Sequence, residues 1–416
     1  MFRALGHRNY RLFWTGAFLS NIGTWMQAVA QGYLVYQLTD SPFWLGLDGF
    51  VALAPGLVLT LLGGVFADLV DRRRLLIYTQ AVAGLSALSL AVLISTQVIH
   101  KADNIWHSNV WMILVFSFIT GCCMSLAGPS YQALTFDLVG REDVANAVAL
   151  NSTQFQLSRV VGPVFAGVGF RLFGLAGCFY LNGLSFIAVV VALIMVRFNG
   201  VGKPPADNAR SMRDKRALWD DLLAGFRYVR HRPRVFALLS ISAVNSFFGA
   251  PYLTFVPIFA RDIFHLGETG YALMMGTAGA GAFVGALVLA YLGDFKRKGW
   301  SVIGGAFAFG GCLIGFALTK QLTVSLIFLF AVGFSIVTSV AVVNTLLQQL
   351  VTDQMRGRVM SMFILSFIGT MPFGNLIAGV ASHRFGAPHT LAVGGLLVMF
   401  YSVIVAVRNG RLRELH

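Results

Sequence analysis

The sequence is poor in charged residues, and acidic residues are the scarcest of them. Asp, Glu, Lys and Arg together make up 12% of the 416 residues, whereas about a quarter of the residues of a soluble globular domain are charged. Hydrophobic residues make up 57%, and the mean hydropathy is +0.74. This composition excludes a soluble globular protein and predicts a polytopic membrane protein.

Cysteine and the common catalytic motifs are also scarce or absent. The sequence has no Walker loop, no His-Glu-x-x-His and no serine-hydrolase elbow. An ATP-driven pump or a membrane enzyme is therefore disfavoured, and we expect no metal and no cofactor. The cysteines have the spacing of neither a disulfide framework nor a zinc site. All four fall inside apolar segments, which suits buried thiols that act as small hydrophobes: Cys122, Cys123, Cys178 and Cys312.

Long apolar runs, by contrast, are abundant. They far exceed the roughly ten alternating residues of a barrel strand, so spanning helices of about twenty residues are indicated. No cleavable signal peptide is expected, because the first apolar segment is long enough to span. The predicted fold class is an all-α membrane protein with twelve transmembrane helices. The predicted spans are residues 12–37, 44–68, 75–99, 110–136, 144–170, 175–196, 235–260, 270–293, 300–319, 322–350, 357–382 and 388–407.

The basic residues are distributed unevenly between the loops. The formal net charge of +14 could suggest a nucleic-acid binder, but 25 of the 31 Lys and Arg residues fall in one set of alternate loops and 5 in the other. Arg159, within a span, completes the count. Because cytoplasmic loops carry the excess of Lys and Arg, both termini are predicted to be cytoplasmic. We expect no nucleic-acid partner.

One long polar segment divides the spans into six and six. We therefore predict an N-terminal six-helix bundle at residues 1–198, a cytoplasmic linker with an amphipathic helix at 199–234, and a C-terminal bundle at 235–416. The amphipathic stretch, residues 217–229, fits either an interfacial helix against anionic lipid or a helix packed on the ends of the bundle. Two weak internal echoes, at offsets of 212 and 226 residues, fit two pseudo-symmetric bundles around a central pathway.

Residues 64–74, with the sequence GVFADLVDRRR, form a short charged loop between two apolar segments. Charged residues at bilayer depth are costly, so this loop is predicted to be a tight hairpin at one membrane face. Its pattern and position resemble the cytoplasmic signature between helices two and three of the major facilitator superfamily. The simpler interpretation is that the arginines only enforce topology, but this leaves the acids without a purpose.

The resemblance implies a gating role for this hairpin, built on Gly64 and the following charges. In the family, the acid carried here by Asp68 contacts the start of span eleven, where Arg358 is an additional partner. The loop arginine, carried by Arg72, pairs with an acid at the end of span four, carried by Asp137. This chain has Asp71 where the family often has Gly, and this adds a negative charge beside the pair.

Span five combines an arginine with small residues. Its Gly162, Pro163 and Gly167 resemble the Gly-Pro antiporter motif of drug exporters, although close helix packing explains the glycines equally well. Arg159 lies about fifteen residues from either end of its helix, too deep to reach the interface easily. It is a site hypothesis by default, either to attract an anionic or carbonyl-rich substrate or to pair structurally with Asp48 of span two.

Other polar residues lie along the spans. Asp48, about one turn from the outer end of span two, is the candidate for proton coupling, with an interfacial acid as the alternative. Polar residues in spans either line a cavity or join helices, and the sequence does not sort them. The residues proposed to line a substrate cavity together with Arg159 are Asn21, Gln27, Gln31, Asn245, Tyr252, Asn344 and Gln348.

Segments at the starts of spans two, five and eleven narrow the resemblance further. The segments SPFWLG at 41–46, LVGREDVAN at 138–146 and RGRVMS at 356–361 look like the bacterial exporter branch that contains the enterobactin exporter and macrolide efflux proteins. The resemblance implies a monomeric inner-membrane transporter that exports an amphipathic small molecule, a siderophore or a drug, by alternating access and proton antiport. The alternatives are an importer of an organic anion or sugar on this fold and a non-transporting membrane receptor.

Overall fold

The computed structural model describes residues 2–102, 107–196, 224–293 and 295–413, without the side chains of 60–69, 141, 411 and 412. Within these ranges the chain contains helices and no strand. A short 3-10 helix, Arg3–Gly6, comes first. The α-helices are α1 Arg8–Thr39, α2 Pro42–Leu69, α3 Arg72–Ser95, α4 Val110–Met195, α5 at 224–230, α6 Pro233–Val244, α7 Tyr252–Ile258, α8 Gly267–Leu292, α9 Lys298–Leu318, α10 Leu322–Leu350, α11 Asp353–Phe367, α12 Met371–Phe385, α13 Ala387–Arg408 and α14 Gly410–Arg413.

These helices have the length and composition of membrane spans. In the described part of the chain, ten helical stretches are long and apolar enough to cross a bilayer. The predicted all-α membrane class is therefore confirmed, and the exact number of twelve crossings stays a prediction. The amphipathic linker helix predicted at 217–229 lies mostly outside the described residues, which include only its last part, within α5.

Helix α4 is interrupted twice by glycine. Gly140 and Gly174 have φ values of +71° and +67°, a region that side chains with a Cβ adopt only at a cost. They divide α4 into three segments, residues 110–139, 141–173 and 175–195. These segments correspond to the predicted spans four, five and six, because each interruption lies where one predicted span ends and the next begins.

The chain forms two compact units. Unit 1 comprises residues 1–40, 51–211 and 267–276, and unit 2 comprises 41–50, 212–266 and 277–416. In unit 1, α1 and α3 pack against α4 around a core that includes Phe13, Leu76 and Leu193. The first turns of α2 thus cluster with the second unit, and those of α8 with the first, which the predicted boundaries did not anticipate.

Unit 2 is built on close contacts between glycine and backbone. Its helix α9 packs against α10 and α13. A Cβ added to Gly281 of α8 would overlap the carbonyl oxygen of Phe330 in α10, and one added to Gly333 of α10 would overlap that of Ala278 in α8. Such small residues let two helix backbones approach closely, which is how helices associate where lipid removes the hydrophobic driving force.

Two helical breaks in unit 2 face each other. Helix α6 continues through a π-helical turn, Asn245–Gly249, before α7 begins, and residues 368–370 separate α11 from α12. The Ser246 hydroxyl donates to the carbonyl oxygen of Phe367, and the Thr370 hydroxyl donates to that of Ala243 at 3.4 Å. Hydroxyl groups therefore satisfy carbonyls that the breaks release, as irregular backbone at membrane depth requires.

Candidate functional site

The charged loop between α2 and α3 is a hydrogen-bonded network in unit 1. Asp71 is the N-cap of α3, and its carboxylate accepts from the backbone amides of Arg73 and Arg74 at 2.9 and 3.2 Å. The Arg72 guanidinium donates to the Asp137 carboxylate at 2.9 Å, at the end of the first segment of α4. The predicted pairing of these two side chains is therefore present. The sequence missed the capping role of Asp71, although an acid just before a helix is a common N-cap signal.

Arg73 extends this network to a third helix. Its Nε donates to the carbonyl oxygen of Leu193 and its Nη2 to that of Ile194, both at 2.9 Å. These carbonyls belong to the last turn of α4, where backbone acceptors have no partner within the helix. The three residues after the cap thus fasten the start of α3 to the ends of two α4 segments.

The remaining gating residues are described only in part. Gly64 and Asp68 lie in α2, but their side chains fall outside the described residues, so their predicted contacts stay a prediction. Arg358 is half-buried in α11 of unit 2, where its Nη1 lies 3.4 Å from the Met355 sulfur. The neighbouring Arg356 forms an exposed ion pair with Asp353 at 2.6 Å.

A basic residue holds the equivalent place in unit 2. Lys298 lies 226 residues after Arg72 and begins α9 as Arg72 begins α3. Its side chain is only 3% exposed, and it lines a cavity of about 100 Å³ with Thr345 of α10. Each unit therefore places a cation at a helix start against a neighbouring helix, which gives the weaker sequence echo a structural counterpart.

A cavity of about 210 Å³ opens among the helices of unit 1. Its walls combine aromatic, aliphatic and neutral polar side chains from α1, α3 and all three segments of α4, without a charged group. The lining residues are Phe13, Ala17, Ser20, Asn21, Leu76, Gln80, Met124, Ala127, Gly128, Tyr131, Asn151, Phe155, Val189 and Leu193. Apolar walls with a few convergent polar groups are typical of small-molecule sites.

Arg159 stands next to this cavity. Its guanidinium lies over the Trp25 ring, 5.6 Å from the centroid, and Trp25 packs edge-on against Phe155 at 6.0 Å. Phe155 also lines the cavity. Arg159 is half-buried and forms no ion pair within the described part of the chain. A cation with only an aromatic partner is thus connected to the cavity through one shared ring.

The polar residues predicted on α1 fall into two groups. Asn21 lines the cavity. Gln27 accepts a hydrogen bond from Asn182 at 2.7 Å, and Gln31 donates to Ser117 at 2.8 Å. These two glutamines join α1 to the third and first segments of α4, so they hold helices together rather than facing the cavity.

The polar residues predicted in the second half are also of two kinds. Asn245 and Tyr252 are 2% and 1% exposed, and the Tyr252 ring packs against Phe309 with centroids 6.4 Å apart. Asn344 accepts a hydrogen bond from the exposed Gln348 side chain at 2.7 Å. The structure therefore buries the first two in unit 2 and leaves the other pair on an accessible face of α10.

The antiporter-like motif is a close helix contact. A Cβ on Gly162 would overlap that of Trp25 and lie 3.0 Å from the carbonyl oxygen of Ile22, so the second segment of α4 presses directly against α1. Pro163 is buried beside it, and a Cβ on Gly167 would lie 3.4 Å from that of Ala272. The packing explanation of these glycines is thus sufficient, and it also fixes Trp25 beside Arg159.

Asp48 lies where α2 is pressed against α12 within unit 2. It is 9% exposed. A Cβ on Gly46 would lie 2.8 Å from the Cα of Gly379, and one on Gly49 would lie 2.7 Å from the Asn375 amide nitrogen. The acid therefore sits in a tight glycine-lined helix contact, a position that sequence analysis could not distinguish from the interface.

Several cavity residues escaped the sequence analysis. Tyr131 lines the cavity and donates to the Gln154 carbonyl oxygen at 3.5 Å. Gln154 is 1% exposed, and its Nε2 has no hydrogen-bond partner among the described residues. Asn151, also in the wall, donates to Thr135 at 3.1 Å. Single tyrosines and amides scattered over three helix segments leave no pattern along the chain that would identify them together.

Known proteins resemble this chain along its whole length. The model of the transmembrane secretion effector family matches residues 1–416. The chain is 22% identical to the staphyloferrin A transporter of Staphylococcus aureus, covering 97% of each chain, and 25% identical to the multidrug efflux pump Tap of Mycolicibacterium fortuitum, covering 96% and 95%. It is 21% identical to the enterobactin exporter EntS of Citrobacter koseri, covering 98% and 93%.

Solved transporters share the fold at lower identity. The nucleoside transporter NupG superposes with a TM-score of 0.75 at 10% identity, with 97% and 99% of the two chains covered. A bacterial homologue of the human lysosomal transporter Spinster, in an inward-facing and occupied conformation, gives 0.71 at 14%, with 98% of each chain covered. At these identities the likeness shows the fold alone.

Proposed function

The chain belongs to the transmembrane secretion effector family of the major facilitator superfamily, and from this membership we propose that it exports an amphipathic small molecule, a siderophore or a drug. Its relatives are multi-pass membrane transporters. Export from the cytoplasm through a bacterial inner membrane, by alternating access of two six-helix bundles at 1–198 and 235–416, is the corresponding mechanism. The protein is proposed to act as a monomer.

The unpaired Arg159 beside the unit 1 cavity is the observation that supports a substrate with an anionic or oxygen-rich group. A volume of about 210 Å³ accommodates part of a drug-sized molecule, since whole ligand pockets measure about 300–1,000 Å³. Aromatic and aliphatic walls suit its apolar part, and Asn21, Gln80 and Asn151 offer hydrogen bonds. Arg159 would then bind a carboxylate, catecholate or carbonyl oxygen at the far side of Phe155.

The network around Arg72 and Asp137 is the proposed gate. It connects the start of α3 with two segments of α4 at the loop end that carries most of the basic residues. We place this end in the cytoplasm, with both termini, because of the 25-to-5 excess of Lys and Arg. Asp68 and Arg358 complete the gate in this proposal, and Asp48, enclosed by packed helices, is the proposed proton carrier.

Ligand-induced thermal stabilisation tests the substrate site. The purified protein is heated with siderophores, macrolides, other drugs and organic anions, and the same series is repeated with Arg159→Ala. The matched control is Arg171→Ala, which removes an exposed arginine from the same segment of α4. Because a ligand at 100 times its Kd stabilises a protein by about 2.7 kcal/mol, a tenfold loss of affinity halves that gain, which a melting curve resolves.

The outcomes separate the possible roles of Arg159. Stabilisation that is lost with Arg159→Ala and kept with Arg171→Ala supports binding beside the cavity. Stabilisation kept in both variants returns Arg159 to a structural role. A second pair of variants, Phe155→Ala and Phe165→Ala, compares the ring shared with the cavity to a similarly exposed ring on the same segment, 49% against 53% exposed.

Transport direction needs its own assay. Inside-out vesicles that accumulate the identified ligand when acidified inside would support export by proton antiport. Uptake into right-side-out vesicles alone would instead support an importer of an organic anion. If no solute moves in either orientation although the protein is folded, the chain is not a transporter, and a receptor role gains support.

A further inference from the structure

A basic cleft lies at the arginine-rich end of unit 2, away from the cavity of unit 1. Its volume is about 710 Å³. Three arginines, one histidine and few apolar groups line it, at the start of α6, the end of α10 and the turn from α13 to α14. The lining residues are His231, Arg232, Pro233, Arg234, Val235, Leu350, Arg408, Asn409 and Gly410.

The positive charge of this cleft is not neutralised by the described chain. No carboxylate among the described residues forms an ion pair with Arg232, Arg234 or Arg408. Elsewhere in unit 2, Arg356 has an acidic partner 2.6 Å away in Asp353. Three like charges around one opening repel one another and attract an anion, because low-dielectric walls focus their field into the cleft.

Free backbone amides add to this field. Helix α6 has Pro233 at its first position, and the side chain of its N-cap, Arg232, makes no capping hydrogen bond. The amide of Phe236 is the first to donate backwards, to the carbonyl oxygen of Arg232 at 3.0 Å. The amides of Arg234 and Val235 therefore have no acceptor within the described chain, and both residues line the cleft. A helix N-terminus with two free amides favours a phosphate group.

The arginines are held on a fixed framework. The Arg232 guanidinium stacks on the Tyr228 ring of α5, 4.7 Å from its centroid, and this leaves its N–H edges available. Arg413 lies 5.3 Å from the Trp300 ring centroid and donates to the carbonyl oxygen of Ala406. This contact fastens α14 to the end of α13, where Arg408 borders the cleft. An anion would therefore meet groups that are already oriented.

We propose that this cleft binds a phosphate-bearing anion, with arginine side chains and the α6 amides as ligands. Guanidinium groups bind phosphate oxygens through paired N–H donors. In a membrane protein, basic pockets at helix ends receive the head groups of anionic lipids, and soluble phosphates offer the same chemistry. The site is separate from the proposed substrate cavity, so its test does not depend on transport.

Thermal stabilisation of the full-length protein measures binding. The detergent-purified protein is titrated with phosphatidylglycerol, with phosphatidylcholine and with inorganic phosphate. The site variant replaces Arg232, Arg234 and Arg408 by Gln. The control variant replaces three exposed arginines at the N-terminal end of unit 1 by Gln and so removes the same charge: Arg3, Arg8 and Arg11.

Each arginine near an anionic lipid surface changes affinity by about fivefold, so the site variant should raise the half-saturating concentration of the bound anion on the order of 100-fold. The control variant should raise it much less. Stabilisation by phosphatidylglycerol alone identifies a head-group site, and stabilisation by inorganic phosphate identifies a soluble phosphate site. Equal losses in both variants, equal effects of phosphatidylcholine, or no stabilisation by any of the three would overturn the proposal. Melting of each variant without added anion shows whether it folds.

Discussion

Replacing Asp137 by Asn and Arg72 by Gln, singly and together, measures the ion pair of the α2–α3 loop. The side chains are 16% and 27% exposed for Arg72 and Asp137, and their nearest atoms are 2.9 Å apart. Two unit charges about 4 Å apart attract by about 4 kcal/mol at an effective dielectric constant of 20. Desolvation and water access reduce this figure, so we expect a coupling free energy of about 1–2 kcal/mol, above the 0–1 kcal/mol of exposed pairs.

The same unit supplies a matched control. Lys101 and Asp40 form an ion pair at 2.6 Å, but their side chains are 59% and 46% exposed. The four proteins of each double-mutant cycle are compared by unfolding free energy in detergent, and the coupling is the part that does not add. We expect less than about 0.5 kcal/mol for the control pair. If its coupling equals that of the Arg72–Asp137 pair, partial burial does not strengthen the latter, and our reasoning about the loop is wrong.

Three further predictions concern single residues. Asp71→Ala should destabilise the protein by about 1 kcal/mol through loss of the N-cap, and Asp71→Ser, which can also cap, should restore most of the melting temperature. Gly281→Ala should cost about 1–3 kcal/mol because its Cβ overlaps a backbone carbonyl. Gly304→Ala, which meets no atom within 4 Å, should raise the melting temperature slightly. Asp48→Asn should abolish transport driven by a proton gradient but keep ligand stabilisation, and intact transport in vesicles would exclude it as the carrier.

The membrane fold was predictable because its signals are local. Length and hydropathy identify spanning helices, and Gly140 and Gly174 mark the two places where α4 changes course. The echo between spans five and eleven also has a structural meaning. Gly162 presses on α1 in unit 1, and Gly374, 212 residues later, presses on the carbonyl oxygen of Phe247 in unit 2. The repeated glycine therefore performs the same packing task in each unit.

The cavity was predictable only in part, because it depends on how each helix is rotated. Asn21, Gln27 and Gln31 all lie on α1, yet the first faces the cavity and the others bond to neighbouring segments of α4. Six residues of helix correspond to about 600° of rotation, so polar residues at this spacing point in different directions. Which direction faces the cavity is decided by contacts distant in sequence, such as Gly162 against α1.

The environment of Arg159 allows a last prediction about stability and binding. An arginine at the centre of a membrane helix costs about 2.5–3.5 kcal/mol on insertion scales, and a cation–π contact returns about 0.5–2 kcal/mol. With Trp25 as its one described partner, Arg159 leaves the empty protein destabilised by about 1–2 kcal/mol. Arg159→Leu should therefore raise the melting temperature without ligand and abolish stabilisation by the anionic substrate, a trade of function for stability. A lower melting temperature in this variant would mean that Arg159 supports the fold and that the cavity is not prepared for an anion.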